Sequence, residues 1–401
     1  MNHPNNEDDK IKVSSKIQGV SQLTIDAVTA ITDIVESLHS RIDPMSGSSQ
    51  GKKEQVSGIG GLVYHNVRQI TKMVGKNIDK PLAILSSVIN SQPDSQQNHN
   101  LLSAVNGVLG DYLESSDNSL AIKMQFRVNG QTLDRSQLSA IVERSRGQLL
   151  IMVHGLCMND LQWNYKGQDH GAQLAKSLGM DVLYLHYNTG RHISDNGKDF
   201  AELLESLTTF SDKPLQLNIV AHSMGGLVSR SAYQVAQSTG YNWPDSLKKI
   251  MFLGTPHHGA ALEKTGNYLD LILGSHFYTA PLSSLIKIRS AGITDLRYGY
   301  IQESDWLDKD RFEFTADQRS PVPLPEGVQC YAIATSTGKT TQHLLGDGLV
   351  SIDSALGKHK NAELDLGFPE SRQWTSANIN HLQMLGDQQV YQKLLTWLSN
   401  Q

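Results

Sequence analysis

Residues 217–236 read LNIVAHSMGGLVSRSAYQVA. An apolar run of strand length passes without a linker into Ser223, and a helical pattern starts at Met224. A serine at so sharp a strand-to-helix junction is forced into strained backbone, with its hydroxyl carried above the sheet. The turn leaves no room for side chains two residues before and after it, and Ala221 and Gly225 stand there. Gly226 lets the following helix approach closely. Met224 brings a backbone N–H to the helix N-terminus, where partial positive charge collects.

Outward from this junction the same alternation recurs. QLLIMVH (148–154), DVLYLHY (181–187), LQLNIVAH (215–222), KKIMFLG (248–254) and QCYAIAT (329–335) are apolar runs of strand length. Helical patterns lie between them at 169–178, 194–210 and 224–238. Strands alternating with helices predict an α/β architecture: a mostly parallel sheet with helices on both faces. Ahead of them, AIKMQFRV and QTL flank Asn129–Gly130, a good two-residue hairpin turn.

The chain has 401 residues, room for two or three domains or for one large domain with an appendage. With 39% hydrophobic and 19% charged residues it has a globular composition, which excludes a wholly disordered chain. A net charge of -5 argues against nucleic acid as a partner, since phosphate binding leans on Lys and Arg. No apolar stretch is long enough to span a bilayer as a helix. Two cysteines, Cys157 and Cys330, cannot build a disulfide framework. One bridge between them stays open, and two free thiols in a reducing compartment is the simpler expectation. The start, MNHPNNEDDKIKV, lacks the basic and apolar parts of a signal peptide, so a cytoplasmic protein is expected.

Composition shifts near residue 115. Apolar residues at helical spacing (20–42, 59–78 and 101–113) predict an α-helical N-terminal region over 1–115, ahead of the α/β domain at 116–401. Arg68, Lys72, Lys76 and Lys80 recur beside the apolar stripe from Ile59 to Ile78. Such a band suits peripheral membrane contact, and equally a solvated face or a helix packed on a domain or a second copy. The oligomeric state is not legible.

The A-H-S-M-G-G turn resembles the nucleophile elbow of the α/β-hydrolase superfamily, with Ala221 in place of the usual first glycine, as in some small bacterial lipases. The resemblance covers roughly 145–401 and is of lipase/esterase type, with some likeness to GPI inositol-deacylase-like lipases. It implies the α/β-hydrolase fold and carboxylic ester hydrolysis through an acyl-enzyme, with no cofactor. The strand ending in His154–Gly155–Leu156–Cys157 resembles the lipase oxyanion loop, which nominates the N–H groups of Leu156 and Met224 as oxyanion donors. His154 is read as holding that loop and Cys157 as lining the substrate side. G-D-G-L-V-S (346–351) resembles the acid-bearing loop of bacterial lipases and nominates Asp347, with Asp353 read as a helix cap. His381, in NINHLQML just before the last helical pattern, matches the family's histidine. His343 breaks the order serine, acid, histidine, and His359 sits in an exposed-looking loop.

The resemblance thus implies a triad of Ser223, Asp347 and His381. Acyl transfer or thioester cleavage would use the same parts, and a lipid-binding or scaffold protein would carry them unused. L-G-T-P-H-H-G (253–259) is lipase-like, and places His257 and His258 near substrate or in shaping the loop. Gln383 stands where secreted lipases carry a calcium-ligating aspartate, and no zinc motif is present, so no metal is expected. An apolar insertion over about 259–328 resembles a lid, or else a packing subdomain or an oligomer contact. Arg191 is read as a salt-bridge residue, with an anionic head group as the other reading.

Overall fold

The structure is a computed structural model, and it describes residues 82–87, 89–90, 95–211, 214–260, 289–309, 311, 317–339 and 346–400. The helical patterns at 20–42 and 59–78, the basic band at 68–80, His343 and residues 261–288, 310 and 312–316 of the lid-like insertion lie outside the described residues. The chain divides into two compact units, Met1–Leu102 with Leu269–Ile288, and Ser103–Tyr268 with Arg289–Gln401. Described residues of the first are helical at 82–87, 89–90 and from Gln96. The second holds the sheet.

Eight strands form that sheet: β1 (Gln125–Val128), β2 (Gln131–Thr132), β3 (Gln148–Val153), β4 (Asp181–His186), β5 (Gln216–His222), β6 (Leu247–Leu253), β7 (Gln329–Ser336) and β8 (Gln373–Ala377). Their order across the sheet is β8-β7-β6-β5-β3-β4-β1-β2. All neighbours from β4 to β8 run parallel; β1 is antiparallel to both β4 and β2. The β1–β2 hairpin turns at Asn129 and Gly130, both at positive φ (52° and 76°), as the mirror-image turn of a tight hairpin requires.

The central strands are mostly apolar because both their faces are covered. Side chains alternate between faces. Leu150, Met152, Val220, Met251, Leu253 and Ile333 share one buried cluster with residues of α3 (His170–Leu178) and α7 (Gln388–Ser399). On the other face Phe252 meets α5 (Met224–Thr239), which packs on α4 (Ile193–Thr208). Gly226 permits that approach: a side-chain carbon there would come within 2.8 Å of the Phe252 ring and 2.1 Å of Thr255.

Strand order reverses at β3. The chain leaves β3 for β4 on one side and returns to β5 on the other, so the crevice at the carboxyl ends of β3 and β5 is where a ligand site belongs. This parallel sheet with one antiparallel end, entered by a strand–Ser223–helix junction at β5, is the α/β-hydrolase fold. The helical patterns at 169–178, 194–210 and 224–238 appear as α3, α4 and α5 with small shifts at their ends. α1 (Gln96–Ser115) covers the 101–113 pattern. The strand β8 and the helix α2 (Arg135–Arg144) have no counterpart among the expected elements.

Candidate active site

Ser223 is held at φ 54° and ψ −126°, a region that costs a residue with a side chain about 1–3 kcal/mol. The surroundings fix it. Its N–H donates to the carbonyl of Leu253 on β6 (2.9 Å), and its own carbonyl accepts from Gly226 (3.0 Å). Gly225 lies so close to β3 that an added methyl would come within 2.5 Å of the Val153 carbonyl and 2.6 Å of that of His154. Gly225 therefore meets backbone, which cannot yield.

The Asp347 loop follows β7. Oδ1 of Asp347 accepts from the backbone N–H groups of Leu349 (2.9 Å) and Val350 (2.8 Å). Its Oδ2 is left to Nδ1 of His381 at 2.7 Å. His381 also donates its main-chain N–H to the Asp347 carbonyl (3.0 Å). Its carbonyl accepts from Nε2 of His222 (3.0 Å). The three side chains Ser223, Asp347 and His381 are all buried. Nε2 of His381 is buried without a hydrogen-bond partner among the described residues.

Gly254 joins these parts. It follows Leu253, the acceptor for the Ser223 N–H, and sits at φ 56°. A side-chain carbon there would come within 3.0 Å of Asp347 Oδ2 and 3.2 Å of His381 Cε1. Only glycine serves at both its φ and its packing.

On the opposite side, the loop after β3 lies against the serine. A methyl on Gly155 would come within 3.0 Å of Ser223 Cβ. Neither Leu156 nor Met224, both buried, donates its N–H to a backbone carbonyl among the described residues. His154 stacks on Tyr187 at 4.5 Å between ring centroids, with its Nδ1 3.0 Å from the Gly155 carbonyl oxygen. Burial pushes its pKa down to about 4.

Cys157 takes φ 59°, donates its N–H to Thr189 Oγ1 (3.1 Å), and sets its sulfur against α1. Sγ lies 4.0 Å from the Ala104 carbonyl, and a methyl on Gly107 would come within 2.2 Å of it. Burial raises the thiol pKa. Cys157 and Cys330 are both free and buried. Gly107→Ala is therefore expected to lower stability by about 1–3 kcal/mol in urea denaturation, through overpacking at this contact. An unchanged midpoint would refute that.

His257 and His258 take Arg230 and Arg319 as partners. Nη1 of Arg230, on α5, lies 3.4 Å from His257 Nδ1, and Arg319 donates to the His257 carbonyl (2.8 Å) and to His258 Nδ1 (2.7 Å). Phe252 and Phe368 flank the His257 ring at 4.9 and 5.5 Å. Burial, then the nearby cations, depress the pKa of His257 well below the ordinary value; His258 falls to about 4, chiefly through burial. Asp353 stands in the first turn of α6 (Ile352–Ala355), whose cap is Ser351. Gln383 closes a turn with Asn380, each side chain accepting from the other's N–H (2.9 Å). Arg191 is ion-paired with Glu114 and Asp199. Among the described residues no three His, Cys, Asp or Glu side chains group as around a metal ion, and no helix is long and apolar enough to cross a membrane.

Sequence reading passed over His222. Its signal was local, a histidine on an apolar strand immediately before the serine, but its partner is His381, far along the chain.

A family model described as a domain of unknown function, DUF7379, matches residues 118–292. No curated protein matches the sequence. Among solved structures, the mature form of a Bacillus licheniformis lipase is 18% identical, with 61% of this chain and 91% of that one covered and a TM-score of 0.41. A phospholipase from Legionella pneumophila is 16% identical, with 52% of this chain and 45% of that one covered and a TM-score of 0.36. A metagenomic carboxyl esterase is 16% identical, with 59% and 64% covered and a TM-score of 0.35. Likeness at this level carries no argument about activity. The fold stands on the strand order and the β5–α5 junction.

Proposed function

We propose that this chain is a serine hydrolase that cleaves carboxylic esters through an acyl-enzyme, a lipase or esterase. The reading rests on one observation: a buried carboxylate–imidazole pair at 2.7 Å whose other ring nitrogen lacks a partner among the described residues, tied through the His381 carbonyl to His222, the residue before a serine strained on its elbow. An alcohol is a weak nucleophile at neutral pH unless a base takes its proton, and the base needs a carboxylate to hold its tautomer and balance its charge.

In this reading Ser223 Oγ attacks the ester carbonyl as His381 Nε2 takes its proton. The tetrahedral oxyanion is held by the N–H groups of Leu156 and Met224, each worth roughly 100–1000-fold in rate. His381 then returns the proton to the leaving alcohol, and water repeats the cycle on the acyl-enzyme. The substrate is an ester or lipid, and we place the chain nearest the lipase type, GPI inositol-deacylase-like lipases included, and in the cytoplasm.

A fluorophosphonate probe is expected to label the wild-type protein at Ser223. Ser223→Ala is expected to abolish labelling and to lower turnover of p-nitrophenyl butyrate by about 10⁴–10⁶-fold. A well-folded wild-type protein that takes no label overturns the reading in favour of a scaffold, and an alanine variant that still takes it overturns Ser223 as the nucleophile. Products formed with water, alcohol or thioester present separate hydrolysis from acyl transfer and thioester cleavage.

A further inference from the structure

His222 takes no part in the steps above, yet it is buried next to both Ser223 and His381. Its Nε2 lies 3.0 Å from the main-chain oxygen of His381. A carbonyl can only accept, so Nε2 carries the proton, and the neutral ring keeps a lone pair on Nδ1. That nitrogen has no partner among the described residues, and a methyl on Gly155 would lie 3.2 Å from it.

We propose that His222 is a positioning residue, which ties the main chain of the base to the residue beside the nucleophile. The inference rests on the ester-hydrolase reading. His381 is gripped on one side by Asp347, through its ring and its N–H. Those bonds fix the base relative to the acid and leave it free to shift, together with the acid, relative to the serine. The His222 bond closes the remaining side. Because His222 and Ser223 are consecutive, one hydrogen bond and a short length of backbone set the distance between the general base and the hydroxyl.

The ring must stay neutral for this role, since a cation 4.6 Å from the His381 ring would oppose the imidazolium that forms there during attack. Burial foremost, and then His381, push the His222 pKa well below its ordinary value.

Positioning acts on turnover more than on ground-state binding, and misplacement by about 1 Å costs on the order of 100-fold. His222→Leu, which removes the donor, is expected to lower kcat on p-nitrophenyl butyrate by roughly 10–100-fold with KM changed by less than about twofold. His222→Gln, whose amide nitrogen reaches the place of Nε2, is expected to recover most of the loss. Equal losses in the two variants, or a loss confined to KM, would make His222 a packing residue and overturn the proposal. Where the leucine variant does not fold, histidine ¹⁵N spectra of the wild-type protein decide. An Nε2–H tautomer at His222 supports the bond and an Nδ1–H tautomer overturns it. A wild-type protein without ester turnover would instead sink the parent reading; full kcat in His222→Leu with an active wild type sinks only this one.

Discussion

Asp347→Asn is expected to lower kcat for ester turnover by about four orders of magnitude while the protein stays folded. The reason lies in how the carboxylate divides its oxygens. Oδ1 is committed to the N–H groups of Leu349 and Val350, and Oδ2 accepts from His381 Nδ1. An asparagine must keep its oxygen on the two backbone donors, because an amide NH₂ facing them would leave three donors without an acceptor. The NH₂ then faces His381 Nδ1, which can answer only with a lone pair. The imidazole proton moves to Nε2, the atom that has to take the proton of Ser223. Geometry survives and the base is lost. Fluorophosphonate labelling should slow in parallel, since it reports the same nucleophile. An asparagine variant within tenfold of the wild type would remove Asp347 from the mechanism.

How far the sequence alone reached depends on whether a signal was local. The elbow was legible because its constraints sit within a few residues: an apolar strand, small residues at 221 and 225, and a helix start. Asp347 and His381 are single residues in loops, and no periodicity marks them. They were nominated through likeness to lipase motifs, and the structure brings them to 2.7 Å. The edge strand β8 escaped because QWTSA is only half-buried and carries no apolar alternation. α2 was announced by Asp134 and Gln137, which form a reciprocal capping box, a cue passed over because the helix behind it is short and polar. The surroundings of His257 and His258 could not be read at all. Arg230 lies about two turns along α5 from Ser223 and Arg319 in a distant loop, and only the tertiary fold brings the four together. For Cys157 the deciding fact is backbone: at φ 59° its thiol meets Gly107 and Ala104 of α1.

The histidines carry the second large expectation: the protein should lose stability steeply as pH falls from about 7 towards 4. His154, His222 and His257 are buried and have pKa values depressed mainly by burial. His170 and His258 are shifted the same way with more solvent nearby. In the unfolded chain each titrates near ~6.5. Above that pH neither state binds the proton, and the contribution is whole. Below it the unfolded chain takes up protons that the folded chain refuses, down to about 4 for His154 and His258. Each fully buried histidine then costs about 1.4 kcal/mol of stability per pH unit. The refusal has visible causes. His258 Nδ1 accepts from Arg319, so protonation would break that bond, and a charge on His257 would face Arg230. Urea midpoints at pH 7.5, 6.5, 5.5 and 4.5 should fall progressively, and His257→Gln, which cannot titrate, should flatten the slope by up to one proton. Midpoints level across that range would mean these rings accept protons in the folded chain, and would contradict the neutral tautomers on which the His222–His381 contact depends.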